Sequence, residues 1–347
     1  MSPARRAFPG LHADAFVHPS DRAALESLRS VPGLDALARR LASGTIERQF
    51  HAINSRTSIR VGPRQFGSLH RMVEQAAGIL DVPVPDTYIG PQYSVNATAF
   101  GFERYTLTLH AGLVDVMEDD QLLAVIGHEL GHMLCEHMLY KSLAYLISEV
   151  GLKALAAMTG GAALIIGVPL KLALLNWSRA AEYSCDRAGL LVVQDPAVVA
   201  AGLARLAGRP RRFAHEFSLD ALLDQHDEYT EKASTVERLY GLAHELGRTH
   251  PDVVWRAHEV VAWAESDAYR DILAGRYLTR DHVAARREPA IEGHHLCPAC
   301  DRWAPNGAPC PHCGLREAPE HRLTCPDGHI ADAAWKFCRR CGKALGG

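Results

Sequence analysis

Seven of the nine cysteines fall between Cys297 and Cys341, and only Cys135 and Cys185 lie outside that stretch. No other feature limits the fold as strongly. A segment that short cannot bury a core of its own and needs a staple, whereas the chain before Pro289 is long enough for a substantial core. Near Pro289 the composition turns to Pro, Gly, Cys and His, which marks a domain boundary. The expected organisation is an N-terminal helical segment (1–65), a main domain (66–288) and a cysteine module (289–347).

Cys297-Pro-Ala-Cys300 and Cys310-Pro-His-Cys313 form a CxxC-x9-CxxC pattern. Two such knuckles supply four thiolates for one tetrahedral zinc, and the metal then provides most of the folding energy. Cys325, Cys338 and Cys341 make a second set, with His329 as its fourth ligand ahead of His321 and His312. The odd cysteine count and the CxxC spacing favour metal over disulfides. Asp14, His18 and Asp21 interrupt the stretch where a signal peptide would need its apolar run, so a cytoplasmic, reducing location is expected. Both sets read as zinc ribbons, adaptor modules expected to meet a protein partner. The formal net charge is −3, and from Pro289 onward seven Lys or Arg face six Asp or Glu. Without a basic stripe, nucleic acid is not an expected partner.

The main domain carries His128-Glu129-Leu-Gly-His132 inside an apolar run predicted to be one helix from Leu122 to Leu146. Residues four apart share a helix face about 6 Å along the axis, so both imidazoles can reach one ion. Glu129 then projects about 100° around, beside the metal's open position, where a general base belongs. Cys135 and Met138 stand where the extended metzincin motif needs Gly and His, so that class is excluded. On a continuing helix His137 would turn roughly 140° away from His132, which suits a supporting or surface role. The downstream segment Ser178-Arg-Ala-Ala-Glu182-Tyr-Ser-Cys-Asp186 offers Glu182 as third ligand. Asp186 is then expected to fix a ligand histidine's tautomer. Cys135 and Cys185 fall close to these elements, either as small buried hydrophobes or as a redox-sensitive pair.

Together with Asn96-Ala-Thr-Ala-Phe-Gly101, these motifs resemble the HtpX and CAAX-prenyl-endopeptidase family of gluzincins over roughly residues 66 to 260. The resemblance implies an α+β fold: a mainly helical metallopeptidase domain with a small sheet whose edge strand binds extended substrate. It implies one catalytic zinc beside the two structural ones, and protein or peptide substrates held along Asn96, Ala97 and Ala99. Thr249-His250-Pro251 resembles the family's late motif, making His250 a candidate oxyanion donor or packing residue. A zinc-ribbon adaptor with a decayed protease domain is the competing reading, and the intact His128, Glu129, His132 and Glu182 argue against it.

Residues 155–175 are apolar enough to suggest membrane contact. Only 49 residues separate His132 from Glu182, however, too few for two crossings with Glu136, Lys141, Glu149 and Lys153 among them. A bent, buried element around Gly167 and Pro169 is expected, with another helix starting near Ser178.

Overall fold

The computed structural model describes residues 5–31, 34, 38, 47–101, 104–149, 162–245, 252–287, 294–299, 303–316, 322–325, 329–338 and 343–345. Two compact units are formed: Met1–Ala7 with Phe16–Tyr269, and Phe8–Ala15 with Arg270–Gly347.

The first unit is mainly helical and carries one small sheet. The sheet consists of β1 (Ile59–Arg60), β2 (Asp86–Gly90), β3 (Ala97–Phe100) and β4 (Thr106–His110) in the order β1-β2-β4-β3. β2 and β4 run parallel, and β3 pairs antiparallel with β4, with Ala97 opposite Leu109 and Ala99 opposite Leu107. The order places β3 on an edge, as the resemblance implies. Leu107 and Leu109 are fully buried, so this alternating strand turns one face into the core.

Helices used below are α1 (Pro19–Arg29), α2 (Asp119–Leu134), α3 (Met138–Glu149), α4 (Ala162–Val193) and α5 (Val253–Ala264). α2 starts at a capping box: the Glu118 side chain accepts from the Gln121 N–H, and the Gln121 side chain accepts from the Glu118 N–H. Asp119 and Asp120 in its first turn complement the helix dipole. α2 packs along α4 at very short range. A Cβ on Gly131 would lie 2.6 Å from the Ala188 Cβ, and one on Gly189 would lie 2.8 Å from the Ala124 carbonyl oxygen. Only glycine lets these two backbones close to that distance, and the closure carries Glu182 and Asp186 on α4 up to His128 and His132 on α2.

Two expectations are corrected here. The predicted helix from Leu122 to Leu146 is broken after Leu134. Glu136 adopts left-handed φ of 56°, its N–H bonds to the Met133 carbonyl, and the His137 N–H bonds to the His132 carbonyl at 3.0 Å. That is a Schellman closure, in which the chain reverses over its own last turn. The apolar stretch after residue 161 and the helix expected near Ser178 are instead a single helix, α4, running through Pro169. Proline removes one N–H and crowds one carbonyl, which a 32-residue helix packed on its neighbours absorbs. Residues 150–161, with the Gly160-Gly161 pair, lie outside the described residues. Among the described residues no helix is long and apolar enough to cross a membrane.

α1 belongs to the core of this unit. Its Leu28 is buried in one cluster with Tyr140, Leu143, Leu174, Trp177 and Ala181 from α3 and α4.

The second unit contains two antiparallel hairpins, β5 (His294–Leu296) with β6 (Trp303–Pro305) and β7 (Arg322–Thr324) with β8 (Ile330–Asp332). Cysteines are the core here: Cys297, Cys310 and Cys313 cluster with Ala299, Ala304 and Leu315, and Cys325 and Cys338 cluster with Ala331 and Leu345. Trp335 packs against both clusters. Arg316 grips the buried Asp332 with two side-chain hydrogen bonds of 3.0 and 2.6 Å, which hold that carboxyl far below the usual range.

Candidate metal centre

His128 and His132 lie one turn apart on α2, and both present Nε2 to the same carboxylate. Glu182 Oε2 is 3.4 Å from His128 Nε2, and Glu182 Oε1 is 3.3 Å from His132 Nε2. All three side chains are largely or wholly buried. Cys185 Sγ also falls within 4.8 Å of a nitrogen of each histidine. Its thiol is pushed well above its ordinary pKa by burial, then by Cys135 and Glu182. Both Cys135 and Cys185 are buried.

Each histidine's far nitrogen is already committed. His128 Nδ1 donates to Asp186 Oδ1 at 2.9 Å, and Arg256 on α5 clamps that aspartate with two 2.7 Å bonds from Nε and a terminal nitrogen. Burial alone would raise the Asp186 pKa, but Arg256 outweighs it and holds the carboxyl below its usual range. The other terminal nitrogen of Arg256 lies 3.4 Å from Glu182 Oε2. On the other side His132 Nδ1 lies 3.0 Å from His137 Nδ1. The two imidazoles titrate in opposite directions. Burial disfavours a proton on His128, yet Glu182 and Asp186 outweigh it and lift its pKa to about 9. Burial and then the Lys141 ammonium push His132 well below its ordinary value.

The donor set fits a zinc ion. Two imidazole nitrogens and one carboxylate converge, as in three-ligand catalytic zinc sites. Glu129, Glu182 and Asp186 bring three buried carboxylates against the Arg256 guanidinium and the Lys141 ammonium, a negative excess that a divalent cation offsets. Lys141 Nζ sits 3.0 Å from His132 Nε2, so a cation is accommodated against that lone pair.

Glu129 accepts a 2.7 Å hydrogen bond from the Ala99 N–H of the edge strand. The Ala97 N–H is held by Asn96 Oδ1 at 2.9 Å. The motif strand and the motif helix are thus joined at the acid expected to act as base. Beside them opens a cavity of about 350 Å³, walled by Leu113, Val125, Val199 and Leu203 as well as by His128 and Glu129.

In the tail, Cys297, Cys310 and Cys313 bring their sulfurs within 4.8 Å of one another, as do Cys325 and Cys338 with His329. Cys297 Sγ and Cys313 Sγ are 3.6 Å apart. Two thiolates on one tetrahedral zinc stand about 3.8 Å apart, given bonds of about 2.3 Å. Cys300, Cys341 and His250 lie outside the described residues.

Sequence reasoning left Lys141 and Asp21 without a place at the site and gave Arg256 no role. Nothing in local spacing marks them: Asp21 and Arg256 arrive through packing of distant helices, and Lys141 through the turn that follows α2. His137 carried a signal, being the histidine five residues past His132; its contact with His132 suits the supporting role expected, but is reached through the turn at Glu136 and not along a continuing helix.

Comparisons with known proteins give the family. The model of Peptidase family M48 matches residues 63–264. The plastoglobule-localized metallopeptidase 48 of Arabidopsis thaliana is 33% identical over 270 residues, covering 77% of each chain. An HtpX protease homologue of Ralstonia nicotianae is 27% identical, covering 58% of this chain and 75% of its own. One of Sulfurihydrogenibium is 28% identical, covering 40% and 55%. This chain belongs to Peptidase family M48 and is a metallopeptidase.

Proposed function

We propose that the protein is a zinc endopeptidase in which His128, His132 and Glu182 hold the catalytic metal and Glu129 is the general base. The observation that carries this reading is the Glu182 carboxylate, which spans the Nε2 atoms of both histidines at 3.4 and 3.3 Å. Glu182 is preferred over Cys185 because its oxygens face both nitrogens, whereas the Cys185 sulfur lies 3.6 Å from His137 Nδ1.

Zinc bound here supplies a Lewis acid that polarises the scissile carbonyl and lowers the pKa of a water to about 7. Glu129 takes the proton of the attacking water and delivers it to the leaving amine. Asp186, clamped by Arg256, keeps His128 with its proton on Nδ1 and its lone pair on Nε2. Extended substrate adds to the β3 edge beside Asn96, Ala97 and Ala99, in place of the bond from the Ala99 N–H to Glu129. The apolar cavity takes a hydrophobic side chain next to the cleaved bond. His250 is the proposed donor to the oxyanion. The two cysteine sets are proposed to hold one structural zinc each, completed by Cys300 and Cys341, and to serve as a docking module for a protein partner.

Cleavage of a peptide library by wild type and by Glu129→Gln tests the mechanism. The amide cannot accept a proton, so turnover should fall about 10²–10⁴-fold with zinc retained. Turnover like wild type would remove Glu129 from the role of base.

A further inference from the structure

We infer that the N-terminal helix α1 is part of the metal site, with Asp21 acting through His137 as a positioning residue that aims His132 at the zinc. The inference rests on the ligand set proposed above. Asp21 lies outside the stretch 63–264 that the family model matches.

The chain of contacts is continuous and buried. Asp21 Oδ2 is 3.1 Å from His137 Nε2, and His137 Nδ1 is 3.0 Å from His132 Nδ1. Ser184 Oγ donates to the same Asp21 oxygen at 2.6 Å and itself accepts from the His18 N–H at 2.9 Å. Asp21, His137 and Ser184 are all buried.

Donor and acceptor arithmetic then fixes the protons. A carboxylate only accepts, so His137 must carry hydrogen on Nε2, which leaves a lone pair on Nδ1 in the neutral ring. Two lone pairs cannot face each other at 3.0 Å, so the hydrogen in this contact sits on His132 Nδ1. His132 Nε2 is consequently the lone-pair nitrogen, the form a metal ligand needs. An independent contact agrees: Lys141 Nζ, which has only hydrogens to offer, lies 3.0 Å from His132 Nε2. The Cys185 thiol, 3.6 Å from His137 Nδ1, fits the same assignment as a second donor.

The backbone explains how His137 gets there. The Schellman closure at Glu136 folds residue 137 back over the last turn of α2, bonding its N–H to the His132 carbonyl. His128 is oriented by an aspartate directly, through Asp186. His132 is oriented by an aspartate at one remove, and that aspartate is supplied by a helix more than 100 residues upstream in sequence.

The test is zinc content per chain across a series of buffered free-zinc concentrations, with tail occupancy followed separately through thiol reactivity. In Asp21→Ala and His137→Phe the half-loading concentration of the non-thiolate zinc should rise roughly 10–100-fold. His137→Gln should recover most of that loss, since its amide can donate to Asp21 and accept from His132. Equal half-loading in all forms would overturn the inference, as would a His137→Gln variant no better than His137→Phe. Should Asp21→Ala fail to fold, the Gln and Phe pair decides the question. A wild type that takes up no non-thiolate zinc would overturn the ligand set itself, an outcome distinct from either.

Discussion

The metal site proposed for the helical unit and those proposed for the tail are built in opposite ways. In the helical unit, donors are delivered by a packed core. Gly131 and Gly189 let α2 and α4 close, and Asp186, Arg256, His137 and Asp21 fix the rings from behind. In the tail, the proposed ligands are themselves much of the core, since Cys297, Cys310 and Cys313 form half of one buried cluster. The first arrangement spends folding energy to preorganise a site, whereas the second needs a site in order to fold. A catalytic ion benefits from the former because ligand geometry survives each turnover. A structural ion has no such requirement.

Removing zinc is the strongest way to break this comparison. Structural zinc contributes about 10–16 kcal/mol in small zinc modules, more than a short tail can replace. Chelation of the full chain should abolish protected amides in residues 294–345 while leaving those of α2 and α4 protected, read by hydrogen exchange. Loss of protection in both regions together would show that the helical site depends on its metal for folding as well.

The next effect concerns Arg256. Its guanidinium is buried against Asp186 and Glu182; burial alone would favour loss of its proton, but those two acids outweigh it and hold the proton on. Arg256→Met leaves two buried carboxylates facing each other, a loss on the order of 3–5 kcal/mol when one partner of a buried pair is removed. Urea denaturation of the zinc-free protein should show the drop, and zinc should restore part of it by supplying positive charge. Destabilisation under 1 kcal/mol would mean that the site relaxes to let water in.

How far the sequence reveals all this depends on which contacts are local. The pairing of His128 with His132 is visible because four residues make one helical turn, and Glu182 with Asp186 repeats that spacing on a second helix. The edge strand is visible through the Asn96 motif and the resemblance it carries, while its neighbour β4 shows the alternation of a half-buried strand. His137 was misplaced because the apolar pattern continues from α2 into α3 without a glycine or proline to announce the break. Asp21 is invisible for a different reason. A lone aspartate in a polar-faced helix has no pattern, and its meaning comes entirely from the way Leu28 docks α1 against Trp177. Ser178 misled in the other direction, suggesting a new start inside what is one helix.

The smallest effect isolates that unannounced break. Glu136 holds φ at 56°, where a side chain costs about 1–2 kcal/mol relative to glycine. Glycine at this position removes the steric cost but loses roughly 0.4–1 kcal/mol through the freer unfolded chain. Glu136→Gly should therefore raise stability by no more than about 1.6 kcal/mol, a Tm gain of at most about 6 °C in a unit of this size. Zinc affinity should not change, because the turn is kept and His137 stays against His132. A destabilised Glu136→Gly protein would mean that the Glu136 side chain makes a contact worth more than the strain it carries. A stabilised protein with weaker zinc binding would mean that the rigidity of this turn, beyond its shape, is what holds His137 in place.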